Sequence, residues 1–204
     1  MKAITVLVCT LTLAAAAVAG MPPVPTTPAP VDDLVYARSF SLNAGFTFNW
    51  CQERPEVSSG TLLVLKVNPD LVMPRQTAEP VLYVGAQTAQ RINFGNESGY
   101  VVALVPGEVD LTKAPIWFGT PELPERITAN RAQAELEKAV KAGIKPFTAK
   151  QISAAQAKGG AAVKAADQST LLREQVVGLL REYSPQESQL ADDLSLVPVT
   201  PVKK

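Results

Sequence analysis

The sequence predicts an immunoglobulin-like β-sandwich of about seven strands, followed by an α-helical C-terminal segment. Short apolar runs rich in β-branched and aromatic residues recur between residues 34 and 119, and Gly, Pro, Asn and Ser separate them. Such runs are typical of strands joined by turns, and their number and spacing fit a sandwich of this kind. After residue 127 the apolar period becomes that of helices. A partly open barrel is the alternative architecture.

Composition excludes several classes of function. The chain of 204 residues contains 19 basic and 19 acidic side chains, so it has no net charge that would attract a nucleic acid. It contains no histidine, which removes the most common general base near neutral pH and the imidazole ligands of zinc. We therefore expect no nucleic-acid partner, no cofactor and no triad that depends on histidine.

The first 19 residues predict a signal peptide. Lys2 precedes an apolar run, and Ala17-Val18-Ala19 fits the small-residue rule for cleavage. The run of residues 3–19 is at the short limit for crossing a membrane, so an uncleaved anchor is the weaker interpretation. We expect a secreted or periplasmic protein with no transmembrane span once the leader is removed.

Removal of the leader would leave Cys51 without a cysteine partner in the chain, because Cys9 lies inside the leader. Cys51 is then either a buried small apolar residue or a free thiol available to another chain. Catalysis by this thiol is disfavoured, since the neighbouring Glu53 and Glu56 would hold it protonated.

Residues 20–31 contain five prolines and predict a semi-rigid spacer before the sandwich domain of residues 32–127. Within that domain, residues 34–42 and 46–51 alternate apolar and polar side chains, and we expect residues 43–45 to join them as a hairpin loop. Five further strands are expected at residues 61–67, 81–85, 89–94, 100–105 and 115–119.

The helical segment is assigned to residues 128–184. Asn130 is expected to cap a first helix that ends at Gly143. Thr148 and Gln151 predict a capping box for a second helix. The third helix, from Asp167 to Ser184, carries an apolar stripe, and residues 185–204 read as a disordered tail. The members of the stripe are Leu172, Val176, Leu179, Leu180 and Tyr183.

Charge differs between the two halves of the mature chain. Residues 31–127 contain 11 acidic and seven basic side chains, whereas residues 128–183 contain five acidic and nine basic ones. The helical segment is therefore expected either to dock on its own sandwich or to meet an anionic surface on another chain. Surface charge pairs are individually weak, so sequence leaves both alternatives open.

Candidate interaction residues are few. Trp117 and Tyr100 belong to an aromatic set that forms either a stacking platform for a peptide or sugar, or ordinary core. The stripe residues Leu172, Val176, Leu179 and Tyr183 are candidates for contact with another copy of the chain. Asn96 lies in a glycosylation pattern within a turn. Two pairs of acids, Glu108 with Asp110 and Glu122 with Glu125, could serve a hydrolase or bind calcium, but turns commonly carry acids and we expect these to face solvent.

These features favour an exported, non-enzymatic interaction or assembly module of the cell envelope or extracellular space, with a protein or a glycan as partner. The missing catalytic residue types and the leader motivate this expectation. One alternative is a glycan hydrolase that uses two carboxylates. Another is a structural protein that forms homo-oligomers through its third helix.

Overall fold

The computed structural model describes residues 28–48, 57–69, 80–93, 98–119, 128–160, 163–164, 168–187 and 196–198. The signal peptide, most of the spacer and Cys51 lie outside the described residues. The described strands are β1 (Ala29–Pro30), β2 (Asp33–Phe48), β3 (Val57–Lys66), β4 (Val81–Val84), β5 (Gln87–Thr88), β6 (Gln90–Arg91), β7 (Tyr100–Pro106), β8 (Ile116–Gly119), β9 (Val163–Lys164) and β10 (Leu196–Pro198). The described helices are α1 (Ala129–Lys141), α2 (Ala149–Gly159) and α3 (Gln168–Tyr183).

The strands form two sheets, and the fold is mostly β with a C-terminal helical part. Sheet A has the order β1-β8-β4-β5, and all of its pairs are antiparallel. Sheet B has the order β10-β2-β3-β7-β6, again antiparallel, and β9 adds a parallel pair to β2. The chain passes between the sheets repeatedly, and the shortest crossing runs from β5 to β6, where only Ala89 separates Thr88 from Gln90.

The inner faces of the two sheets meet in the main core. Leu63, Leu65 and Val101 from sheet B pack with Leu82 and Phe118 from sheet A. β3 contributes side chains to both of its faces, and all of residues 60–65 are buried. This explains its nearly continuous apolar sequence, because a strand covered on both sides needs no polar face.

Helices cover the outer faces, which gives four layers in the order α1, sheet A, sheet B, α3. Leu172 and Val176 of α3 pack on the outer face of sheet B, and Ala132 and Ala139 of α1 pack on that of sheet A. The helical segment therefore docks on its own sheets. No helix in the described ranges combines the length and the apolar character needed to cross a membrane.

α2 lies against β2 through backbone as well as side chains. Ile152 and Ala155 enter the core between the sheets. At its C-terminal end, a Cβ added to Gly159 would lie 2.1 Å from the carbonyl oxygen of Ala37. Only a residue without a side chain allows this close approach of helix to strand.

The hairpin expected within residues 34–51 is wrong, because β2 is one strand from Asp33 to Phe48. Residues on both sides of 43–45 pair with the same partner: Ser41 lies opposite Ser59, and Phe46 lies opposite Val57. The Asn-Ala-Gly triplet is therefore an irregularity in the ladder. Extra residues in one strand are absorbed as a bulge when both flanks remain paired to one neighbour.

Helix boundaries follow local signals, with one exception. The capping box of Thr148 and Gln151 is confirmed, and so is a third helix that ends before Ser184. Thr128 rather than Asn130 caps α1, since its hydroxyl accepts a hydrogen bond from the N–H of Arg131.

Two short strands occur in stretches expected to be irregular. β1 lies at the end of the spacer, and β10 lies within the C-terminal 20 residues, which also contain a 3₁₀ turn at Pro185–Glu187.

Candidate functional site

An open groove of about 600 Å³ lies beside α1 at one end of sheet A. Three segments form its walls: the β4–β5 turn, the β7–β8 connection, and α1 with the loop that follows it. The lining side chains are mainly aliphatic, and charged groups stand among them. The lining residues are Val84, Gly85, Ala86, Gln87, Glu108, Val109, Asp110, Lys113, Ala114, Pro115, Leu136, Val140, Ile144, Lys145 and Pro146.

Asp110 shapes the wall formed by the β7–β8 connection. Its Oδ1 accepts hydrogen bonds from the N–H and the hydroxyl of Thr112 at 3.0 and 2.5 Å, and its Oδ2 lies 3.0 Å from the Nζ of Lys113. These hydrogen bonds, first that of the Thr112 hydroxyl, hold the pKa of Asp110 below its usual value. The carboxylate is thus occupied in building the turn.

The β4–β5 turn is fastened to this connection. Gly85 adopts a φ of 59°, and its N–H donates to the carbonyl of Pro115 at 2.9 Å. A Cβ added to Gly85 would lie 3.3 Å from the Cβ of Ala114, besides straining the backbone. Two of the three walls therefore hold each other in place.

The end of α1 directs apolar side chains to the third wall. Gly143 has a φ of 84°; its N–H donates to Val140 and the N–H of Ile144 donates to Ala139, each at 3.0 Å. This is the Schellman arrangement, which turns the chain back along the helix and brings Ile144 beside Leu136. Val140, which is 58% exposed, stands at the edge of the groove.

The groove offers a surface for aliphatic contact, with a few charged groups among the apolar ones. Its lining includes no aromatic side chain, and its charges are Glu108, Asp110, Lys113 and Lys145. No group of three His, Cys, Asp or Glu suited to a metal occurs within the described part of the chain. Sequence reasoning missed the groove, because its walls come from segments far apart along the chain.

The two aromatic candidates occupy different environments. Trp117 is fully buried beneath α1 and stacks on Tyr83, with ring centroids 5.1 Å apart and ring planes at 11°. Tyr100 is partly exposed and packs at a tilt against Tyr183, with centroids 5.3 Å apart. Trp117 has no surface for a ligand while α1 is docked.

The apolar stripe of the third helix faces its own chain. Leu172, Val176 and Leu179 are buried against sheet B. Tyr183 is partly exposed, and burial, followed by its hydrogen bond to Glu182, raises its pKa to about 12. Oligomerisation through this stripe stays a prediction. Candidates outside the described residues are Cys51, Asn96, Glu122 and Glu125.

A buried carboxylate in α1 was not predicted. Glu135 is 3% exposed and faces sheet A between Ala132 and Ala139, whose helical spacing marks its position. Its Oε1 lies 2.5 Å from the Nζ of Lys138, and its Oε2 has no hydrogen-bond partner in the structure as described. Burial, and then the charge of Glu135, raise the pKa of Tyr83.

Comparisons of the chain with protein-family models, with curated proteins and with solved structures gave no match.

Proposed function

We propose that the chain is an exported, non-enzymatic interaction module whose groove beside α1 binds an aliphatic segment of a partner protein. The observation that carries the proposal is the groove itself, with Val140 exposed at its edge and Leu136 and Ile144 partly exposed beside it. Concave sites lined by apolar groups with a few polar ones are the usual form of a binding site.

A protein segment fits the groove better than a glycan does. Sugar rings are commonly held by flat aromatic faces and by convergent hydrogen-bonding groups. The groove lining has no aromatic residue, and the carboxylate of Asp110 is engaged by Thr112 and Lys113. Aliphatic side chains of a partner would bury against Val109, Val140 and Ile144, which are all at least partly exposed.

The proposed scaffold is an immunoglobulin-like sandwich. The order β2-β3-β7-β6 in sheet B and β5-β4-β8 in sheet A supports this, since it reproduces the orders A-B-E-D and C′-C-F of such domains. β1 then pairs with β8 at the place of the last strand, G. Interaction modules are frequent on this scaffold.

The proposal is tested with a displayed library of random peptides selected on the mature protein. We expect selected peptides to bind the wild type and to lose at least about tenfold in affinity for Val140→Asp, because a charge at the groove edge would be desolvated on binding. Ser153→Asp places the same charge on an exposed position of α2 and should leave binding unchanged. Equal binding to both variants, or no selected peptide, contradicts the proposal.

Export is part of the proposal and is supported by residues 1–19. Expression of the full sequence in a secreting host should yield a mature protein that begins at Gly20, as measured by intact mass. A protein that retains Met1 in the soluble cell extract contradicts this part.

The glycan-hydrolase alternative retains one supporting observation: Glu108 and Asp110 both line the groove. A hydrolase would need one of these acids to donate a proton while the other stays ionised. A turnover on a panel of oligosaccharides that is lost in Glu108→Gln would establish the alternative. No turnover in the wild-type protein removes it.

A further inference from the structure

We propose that α1 undocks from sheet A as a unit while both sheets, α2 and α3 stay folded, and that this motion opens and closes the groove. The gating of the groove rests on the proposed function above; the undocking does not.

α1 contributes little apolar area to its contact with sheet A. Its fully buried apolar side chains are Ala132 and Ala139, and Leu136 is only partly buried. The free energy gained by burial scales with the apolar area removed from water, and alanine contributes little of it. The helix itself therefore supplies little apolar area, and most of the apolar surface buried in this contact belongs to Val81, Tyr83 and Trp117 of sheet A.

Docking also desolvates a charge without giving it a new partner. The one described partner of the Glu135 carboxylate, Lys138, belongs to α1 itself, so this pair exists whether or not the helix is docked. When α1 docks, the Oε2 atom of Glu135 loses its contact with water and accepts no hydrogen bond from the described residues. Burial of a charge on such terms opposes docking.

Docking also removes a polar group of sheet A from water. The Nε1–H of Trp117 is buried without a hydrogen-bond acceptor among the described residues. When α1 lifts, water reaches both this donor and the Glu135 carboxylate. Burial of an unpaired polar group thus weakens the interface from both sides.

α1 carries its own terminal hydrogen bonds and can leave as a helix. Thr128 caps its first turn, and the carbonyls of Ala139 and Val140 accept from the chain just after the helix. None of these bonds comes from sheet A. Undocking therefore breaks none of these terminal hydrogen bonds.

The other two walls of the groove do not depend on α1. The N–H of Gly85 bonds to Pro115, and Asp110 holds the β7–β8 connection. Undocking removes Leu136, Val140 and Ile144 and leaves the remaining walls in place. A segment bound across all three walls would hold α1 closed, because it binds the closed state better.

Hydrogen exchange on the mature protein tests the undocking. Amides of residues 133–141 in α1 should exchange at least about tenfold faster than those of residues 173–183 in α3, since local opening has a smaller free energy than global unfolding. Glu135→Leu should slow exchange in α1 about fivefold or more and leave α3 unchanged, because it removes the desolvated charge. Glu137→Leu, the same substitution on the exposed face, should change neither. Equal exchange in α1 and α3, or no slowing in Glu135→Leu, overturns the proposal.

Fluorescence gives a second measurement that does not depend on a variant of Glu135. In a Trp50→Phe background Trp117 is the sole tryptophan, and acrylamide should quench it although it is fully buried in the docked state. Absence of quenching contradicts undocking. For the gating, a peptide selected as above should slow exchange in α1; a bound peptide with no effect on α1 contradicts the gating alone, and failure to select any peptide contradicts the proposed function alone.

Discussion

The two helices that cover the sheets differ in how they are held. α3 buries Leu172, Val176, Leu179 and Leu180 on sheet B, whereas α1 buries two alanines and a glutamate on sheet A. Both helices complete a layer, but only α3 contributes an apolar surface of the size found in a core. The difference shows that two helices can cover a sheet with very different side chains, and that the helix with the buried carboxylate is the one beside the groove.

The largest difference in the free energy of unfolding is expected between two leucine truncations, one in α3 and one in α1. Leu180→Ala in α3 should lower the free energy of unfolding by about 2–5 kcal/mol, the range for a buried leucine that leaves a cavity. Leu136→Ala in α1 should cost less than about 1.5 kcal/mol, since that side chain is only partly buried. Urea denaturation measures both. Equal losses would break the distinction between the two helices.

The next effect concerns α2, which approaches sheet B through its backbone. Gly159→Ala should destabilise the protein by about 3 kcal/mol, because the new methyl group would overlap the carbonyl of Ala37. Gly178→Ala in α3 is the matched control. The added methyl group would lie in open space on an exposed helix face, so the substitution should stabilise the protein by about 0.5–1 kcal/mol through helix propensity. Thermal unfolding of the two variants should thus shift in opposite directions.

A smaller effect is expected from the lysine that accompanies the buried glutamate. Lys138→Ala leaves the Glu135 carboxylate without its described partner and should cost about 1 kcal/mol. The lysine side chain is 59% exposed, so solvent screens the pair. Lys141→Ala, on an exposed position in the same last turn, should cost less than about 0.3 kcal/mol. If the two losses are the same, the pair with Glu135 does not contribute to the stability of the protein.

The smallest effect is a pH dependence at α3. The pKa of Tyr183 in the folded protein is about 12, above the ordinary value of 10, so the folded state holds this proton more tightly than the unfolded state does. The resulting stabilisation is complete below pH 10 and is lost as the pH rises through 12. Absorbance titration should show a late phenolate component that becomes smaller in Tyr183→Phe; Tyr83, whose pKa is also raised, still contributes to it. A variant with an unchanged titration curve would contradict the assignment.

Sequence predicted what local signals determine. The capping box at Thr148 and the apolar runs of β3, β4, β7 and β8 are readable because their information lies within a few residues. The bulge at residues 43–45 could not be predicted, because a Gly-containing triplet fits a hairpin loop equally well until the partner strand is known. The groove and the environment of Glu135 depend on segments brought together from separate parts of the chain.

A nuclear magnetic resonance titration of the mature protein with a library-selected peptide tests the binding groove most directly. Chemical-shift changes should cluster at residues 84–87, 108–115 and 136–146, the three walls of the groove. Changes centred on Tyr100 and Tyr183, or spread evenly over both sheets, would contradict the account.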